Sequence, residues 1–188
     1  MSIEEIKVGK NTIKIEIDSE PQNPRTDWEP FGTITTKKGG RYYLGEKPMD
    51  AEDMERIYNN KKEYISLPVY AYIHSGTCLN TTGFSCPWDS GQSGIIYISK
   101  DKVRKEFRVK RISLKLFNRI EEILRGEVET FSQYLGGEVY GFIIEDLEGE
   151  ILDSCWGFYE LENCKSEAVS MANYYLPDAV QTTLCELV

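Results

Sequence analysis

The sequence predicts an α+β fold with a mainly antiparallel sheet built from hairpins, together with three to four helices. Strand-like segments follow one another in pairs across short turn sequences, which is the pattern of hairpins. Regular strand–helix–strand units, which build parallel sheets, are missing from the pattern. The 188 residues suit one core. We therefore expect a single α+β domain over residues 1–188, with an N-terminal hairpin and a proline-rich arm within residues 1–32.

The first part of the chain predicts two hairpins separated by the arm. Residues 3–8 and 12–17 alternate apolar with polar side chains around a Gly-Lys-Asn turn, which predicts an opening hairpin. The stretch SEPQNPRTDWEPFG holds three prolines, and proline removes backbone donors from strand pairing. It should form an ordered arm, anchored by Trp28. Residues 33–44 return to strand character around Lys-Gly-Gly, which predicts a second hairpin.

The middle of the chain predicts a helix and two strands. Asp50 is a candidate cap for a helix over residues 51–64, in which apolar side chains recur at helical spacing. Residues 67–73 and 95–99 are rich in β-branched and aromatic side chains and should be strands.

The last part of the chain predicts helices around one hairpin. Ser113 is a candidate N-cap for a helix that ends near Gly126 and is followed by a second short helix. The segments EVYGFIIED and EILDSCWGFY flank Leu-Glu-Gly and should pair as a hairpin, with Trp156 in the core. A final helix is expected over residues 163–175. The tail, residues 179–188, should add an edge strand or pack loosely.

The segment between the two middle strands is the leading candidate for a dedicated surface, because loops held by a scaffold often carry function. Residues 67–94, LPVYAYIHSGTCLNTTGFSCPWDSGQSG, hold the only histidine and two of the five cysteines. The candidate partner-binding residues are His74, Trp88, Asp89 and Gln92. Trp88 suits an exposed anchor for a partner, although a loop folded onto the core would also explain it.

The same segment allows two chemical alternatives. A thiol enzyme would use Cys78 or Cys86 with His74 and an orienting carboxylate such as Asp89. A zinc site could combine these residues with Cys155 or Cys164, although the paired C-x2-C spacing of strong zinc motifs is missing. The sequence also lacks the phosphate-binding and hydrolase motifs that name a chemistry. We therefore expect a protein that is not an enzyme, with no catalytic residue, no metal and no cofactor.

Charge is distributed unevenly along the chain. The net charge is −9, which disfavours nonspecific adhesion of the whole protein to nucleic acid or anionic membranes. Residues 100–115 nevertheless hold eight basic and two acidic residues, so they carry +6 while the rest carries −15. This segment is either a solvated helix face or linker, or a contact for RNA, DNA or an acidic partner. The candidate nucleic-acid contacts are Lys102, Arg104, Lys105, Arg108, Lys110 and Arg111.

Composition also bears on location. No apolar run approaches the length of a membrane span, and the start MSIEEIKVGK lacks the apolar core of a secretory signal. Five cysteines at irregular spacing do not suggest a disulfide framework. We expect a cytoplasmic protein of a bacterial host cell with no membrane partner; the sequence leaves self-association to a homo-oligomer open.

Several sequence blocks carry a resemblance that covers most of the chain. They are QNPRTDWEPFGT, YISLPVYAYIHSGTCLNTTGFSCPWDSGQSGIIYISKDKVRKEF and GGEVYGFIIEDLEGEILDSCWGFYELENCKSEA. Within these blocks, FSCPWDSGQ and DSCWGFY are the distinctive motifs. The chain resembles a family of small proteins encoded by phages and mobile elements of Firmicutes, and it is similar to anti-defence proteins of the type II-A anti-CRISPR group.

The resemblance implies an anti-defence protein that inhibits a Cas9-type nuclease by stoichiometric binding. Its partner would be the Cas9-type effector with its guide RNA, whose positively charged channel would attract an acidic protein. The alternative is a nucleic-acid-binding accessory protein of a mobile element, in which the basic segment contacts DNA or RNA directly. The thiol or zinc enzyme built on His74, Cys78 and Cys86 remains the third hypothesis.

Overall fold

The computed structural model describes residues 2–39 and 44–176, and the chain forms two compact units. We call residues 1–22 and 137–188 the terminal unit and residues 23–136 the central unit. The predicted α+β class is confirmed, because the described residues form four helices and two mostly antiparallel sheets. The prediction that residues 1–188 behave as a single domain stays a prediction.

Strands and helices follow one another along the described residues in this order. They are β1 (Ser2–Val8), β2 (Asn11–Ile17), β3 (Thr33–Lys37), β4 (Lys47–Met49), α1 (Ala51–Asn59), β5 (Tyr64–Ile73), β6 (Thr77–Asn80), β7 (Ser90–Ser99), α2 (Lys100–Glu106), α3 (Leu114–Gly136), β8 (Tyr140–Glu145), β9 (Ile151–Phe158) and α4 (Leu161–Tyr174).

The terminal unit is a four-stranded antiparallel sheet in the order β1-β2-β8-β9, with α4 on one face. Both predicted hairpins of this unit are confirmed, since β1 pairs with β2 and β8 pairs with β9. Alternate side chains of β2 and β8, such as Ile13 and Phe142, are buried against small residues of α4, such as Ala168. The period-2 alternation read from the sequence therefore places the core correctly.

The central unit is a five-stranded sheet in the order β4-β3-β7-β5-β6. One face carries the core beneath the apolar stripe of α3, which includes Ile120, Leu124, Val128 and Phe131. On the opposite face of the sheet, Pro68 and Tyr70 of β5 lie beside residues of α1. This sheet is antiparallel except for the pairing of β3 with β4, which is parallel.

Several boundaries differ from the predictions. Helix α3 does not end near Gly126 but continues to residue 136 as one helix, so the second short helix is part of it. Helix α1 ends at Asn59, and the Asp50 side chain makes no capping hydrogen bond. By contrast, the Ser113 hydroxyl accepts the Leu116 amide at 3.2 Å, as expected of an N-cap.

Two further corrections concern strands. The hairpin predicted over residues 33–44 supplies β3, but the strand that pairs with β3 in parallel is Lys47–Met49; residues 40–43 lie outside the described residues. The segment predicted as a loop between the middle strands contains β6, and β7 begins at residue 90 rather than 95. The predicted final helix is α4, whereas the tail, residues 179–188, lies outside the described residues.

Tryptophan positions also differ from the expectations. Trp156, expected in the core, is 43% exposed and its ring lies across Gly141 on the neighbouring strand. Trp28 is 44% exposed, whereas Arg25 in the same arm is only 7% exposed. The buried anchor of the arm is therefore Arg25.

No helix within residues 2–39 and 44–176 is long and apolar enough to cross a membrane. Cys78, Cys86, Cys155 and Cys164 are free thiols.

Candidate functional site

The basic segment, residues 100–115, occupies α2, the loop that follows it and the first residues of α3. Ser99 starts α2 in extended conformation, and its side chain accepts the Lys102 amide at 3.2 Å. Val103 fixes the helix in the core, since its side chain is fully buried. The segment is therefore an ordered part of the central unit. Its first half forms α2, and its second half is mainly the loop that leads to α3.

Three basic side chains of the segment are held by the protein itself. Lys102 donates from Nζ to the Phe31 carbonyl at 2.8 Å and lies 5.6 Å from the Phe31 ring centroid. Arg104 pairs with Asp101 at 2.5 Å, and Lys100 donates to the Lys61 carbonyl at 2.6 Å. These cations are less available to a partner because binding would compete with an existing contact.

The other basic side chains are exposed, and none makes an ion pair with a residue that the structure describes. They are Lys105, Arg108, Lys110, Arg111 and Lys115. Of the six predicted nucleic-acid contacts, four thus remain available. The other two, Lys102 and Arg104, already contact other groups of the protein. Sequence reasoning missed Lys115, although it belongs to the same charge run.

Arg108 has an unusual backbone conformation. Its φ of 52° is in the left-handed region, and it is the only non-glycine residue with positive φ among residues 2–39 and 44–176. The turn is closed by the Val109 amide donating to the Arg104 carbonyl at 3.0 Å, the pattern in which a helix terminus favours glycine. Arginine bears a steric cost in this conformation that glycine would not.

Aromatic rings support the loop half of the segment. Phe107 packs edge-on against Phe31 with ring centroids 6.0 Å apart and lies against the core. The Arg119 guanidinium lies 5.6 Å from the Phe107 ring, which is within cation–π range. The loop carrying Arg108 is therefore fixed at its start, so its exposed charges are presented from a supported backbone.

The candidate partner-binding residues lie around the end of β5 and the start of β7. His74 Nδ1 is 3.4 Å from Asp89 Oδ2, and the Ile73 amide donates to the Asp89 carbonyl at 2.9 Å. The His74 ring also stacks on Tyr72. Trp88 is 85% exposed, so the interpretation of a loop folded onto the core does not hold for this side chain.

Gln92 is placed differently from the other three. It pairs across the sheet with Tyr70, and its amide donates to the Gly94 carbonyl at 3.2 Å. The structure brings His74, Trp88 and Asp89 together at one end of the strands and places Gln92 farther along β7.

The geometry around Cys86 bears on the thiol alternative. The Cys86 thiol donates to Asp89 Oδ2 at 3.9 Å, and the same oxygen lies 3.4 Å from His74 Nδ1, so the recorded neighbour of the thiol is the carboxylate. A nucleophilic thiol needs a base such as imidazole as its direct neighbour. Cys155 and Cys164 belong to the terminal unit. Within the described parts of the chain, no group of three or more His, Cys, Asp or Glu residues is arranged to hold a metal ion.

A comparison with protein-family models finds no matching family. Comparisons with curated proteins and with solved structures likewise find no match.

The two units differ sharply in charge. The terminal unit has 16 acidic and 4 basic residues, a net charge of −12, and the central unit has 15 acidic and 18 basic residues, a net charge of +3. The basic segment, at +6, is the source of this positive charge, because the rest of the central unit carries −3. The acidity of the whole chain originates in the terminal unit.

Proposed function

We propose that this protein binds the phosphate backbone of nucleic acid through the basic segment. The observation that carries the proposal is that Lys105, Arg108, Lys110 and Arg111 are exposed on one short stretch without an ion pair to a described residue. Unpaired cations can neutralise phosphates and release condensed counterions without breaking protein contacts.

The available contacts predict backbone recognition rather than base reading. Lysine and arginine side chains on an exposed turn contact phosphate oxygens, which position a protein on nucleic acid without reading sequence. Four such contacts give a slope of log K against log salt of about −3 to −4. Binding should therefore be weak at physiological salt and steep in its salt dependence.

Fluorescence anisotropy with a labelled 20-nucleotide single strand and the matching duplex, at a series of salt concentrations, tests the proposal. A variant with Lys105, Arg108, Lys110 and Arg111 changed to Gln should lose most of the binding and of the salt slope. The matched control changes Lys10, Lys38, Lys47 and Lys62 to Gln, which are exposed lysines outside the segment. Equal losses in the two variants would show a general charge effect and overturn the proposal.

A second candidate function is inhibition of a Cas9-type nuclease by stoichiometric binding in the cytoplasm of a bacterial host. The segregation of charge between the two units favours it. A terminal unit of −12 suits the positively charged channel of such an effector, and the basic segment suits its guide RNA or target DNA. The sequence resemblance to anti-defence proteins leads to the same hypothesis.

Titration of the purified protein into a guide-loaded Cas9 cleavage assay, with size-exclusion of the mixture, tests this second candidate. Inhibition that saturates near a one-to-one ratio together with co-elution supports it. Binding to free nucleic acid without inhibition or co-elution would leave only the first proposal standing.

A further inference from the structure

A cavity lies between α1 and the sheet of the central unit. It has a volume of about 350 Å³, which is near the lower end of the range for small-ligand sites. Helix α1 lines it with four residues spaced as one helical face: Ala51, Met54, Glu55 and Tyr58. The sheet supplies the floor through Pro68, Tyr70 and Ile95.

A β-bulge places Gln92 in this cavity. Val69 pairs with Gly94 and Tyr70 pairs with Gln92, so Ser93 is the additional residue in β7. Without the bulge, Gln92 would share the core face of Gly94, because side chains alternate along a strand. With it, Gln92 lies on the face of Tyr70; its amide nitrogen donates to the Gly94 carbonyl at 3.2 Å, and an amide group has a second N–H and a carbonyl oxygen for further hydrogen bonds.

The bulge itself is supported on both sides. The Ser93 hydroxyl donates to the Val69 carbonyl at 3.2 Å and the Ser93 side chain is buried. At residue 94 a Cβ would overlap the Thr35 carbonyl oxygen, so only glycine allows β3 this close. Within the SGQSG stretch, Gly94 therefore allows the close approach of β3, and the additional residue Ser93 places the Gln92 side chain on the cavity side of the sheet.

The cavity combines ring surfaces with two charged side chains that make no ion pair with a described residue. Tyr58 and Tyr70 line it, and so do Lys37 and Glu55. Neither Lys37 nor Glu55 makes an ion pair with a described residue, whereas the neighbouring Lys38 lies 3.8 Å from Asp50. The Lys37 ammonium and the Glu55 carboxylate are therefore both available to a ligand.

We propose that this cavity binds a nucleoside monophosphate unit, with the base against Tyr70, Lys37 on the phosphate and Gln92 on the base edge. Tyrosine rings stack on any base, an amide side chain can hydrogen-bond a base edge, and a lysine ammonium neutralises a phosphate as a point charge. Glu55 accepts hydrogen bonds from ribose hydroxyls. The volume accommodates one nucleotide rather than a dinucleotide. The unit comes either from a free nucleotide or from a single strand, and the site is separate from the basic segment.

Isothermal titration with the four 5′-ribonucleoside monophosphates, their nucleosides, inorganic phosphate and an eight-nucleotide single strand tests the proposal. Lys37→Gln should weaken monophosphate binding about tenfold and leave nucleoside binding unchanged. Tyr70→Leu should weaken both by about tenfold. The matched controls are Lys38→Gln and Tyr72→Leu, which remove the same groups from neighbours that do not line the cavity.

The outcomes separate the two sources. Tight binding of monophosphates but not of the single strand identifies a free nucleotide, and binding of the strand in competition with monophosphates identifies a nucleotide of a strand. The pattern should persist when the four basic-segment residues are changed to Gln, which separates it from the proposed function. Failure of every monophosphate to saturate the protein at millimolar concentration would overturn the proposal. Equal binding by Lys37→Gln and the parent protein, or inorganic phosphate binding as tightly as a monophosphate, would also overturn it.

Discussion

Arg25 donates from Nη1 to Glu127 Oε2 at 2.8 Å and so joins the proline-rich arm to helix α3 across 102 positions of sequence. Glu46 accepts from the same guanidinium, and the Gly32 carbonyl accepts from Arg25 Nη2 at 2.5 Å. Glu127 also accepts the Phe31 amide at 2.6 Å. The arm, which has no helix or strand of its own, is ordered by this closed network.

Arg25→Ala should destabilise the protein strongly. The Arg25 side chain is only 3% exposed, and removing one partner from a buried charge network costs about 3–5 kcal/mol because the other charges lose compensation. Urea unfolding followed by circular dichroism measures the change. Arg56→Ala is the control, since Arg56 pairs with Asp53 on an exposed helix face and should change stability by about 0.5 kcal/mol or less. Similar costs for the two variants would contradict the network.

Gly94 and Gly126 should respond to alanine in opposite directions. A methyl group at Gly94 would overlap the Thr35 carbonyl oxygen, whereas nothing lies within 4 Å of a Cβ at Gly126. Gly94→Ala must therefore displace β3 and lower the unfolding midpoint. Gly126→Ala lies within helix α3 and should stabilise by about 0.5–1 kcal/mol. Thermal unfolding of both variants checks the pair, and stabilisation by Gly94→Ala would contradict the close packing.

The hairpins could be predicted because their signals are local. In β1 and β2, and again in β8 and β9, alternation and a short turn are enough to fix the pairing. The parallel partner of β3, residues 47–49, has no local signal. Helix α3 continues through Gly126 because its buried apolar stripe extends on both sides, and this burial outweighs the cost of about 1 kcal/mol for one glycine.

The candidate site could be located by charge but not resolved into bound and available side chains. The sequence shows that Lys102 and Arg108 are basic, and only the packing of the arm shows that Lys102 is held by the Phe31 carbonyl. The cavity escaped prediction for a related reason. A bulge at Ser93 places the Gln92 side chain on the opposite face of the sheet from the one that regular alternation predicts. The sequence pattern of apolar and polar residues does not indicate this bulge.

Cys164 should be the least reactive of the described cysteines. Burial raises the pKa of its thiol to about 11, with the nearby Cys155 adding to the effect. Because this pKa lies above pH 8, only about one thiol in a thousand is the reactive thiolate there. Iodoacetamide at pH 8, followed by peptide mass spectrometry, should label the exposed Cys78 and Cys155 first. Labelling of Cys164 at the rate of Cys155 would contradict its burial.

Trp88→Ala should leave folding intact, because its exposed ring contributes little to the core. We expect the free energy of unfolding to change by about 0.5 kcal/mol or less. Trp156→Ala is the control and should cost more, since that ring covers Gly141. If Trp88 anchors a partner, the variant should also lose co-elution with a guide-loaded Cas9-type nuclease. Retained co-elution would exclude Trp88 from that contact.

Arg108→Gly should make the protein more stable and a weaker binder. Glycine adopts a φ of 52° without the steric cost that arginine bears, so the free energy of unfolding should rise by about 0.5–1 kcal/mol. Loss of one phosphate contact should lower the salt slope of nucleic-acid binding by about one.

Lys110→Gln is the matched control for Arg108→Gly, because it removes a charge from the same loop without relieving backbone strain. It should weaken binding similarly and leave stability unchanged. Urea unfolding and anisotropy on the same preparations separate the two effects. A less stable Arg108→Gly would show that this arginine contributes to packing. A variant that binds as well as the parent would show that Arg108 does not contact phosphate.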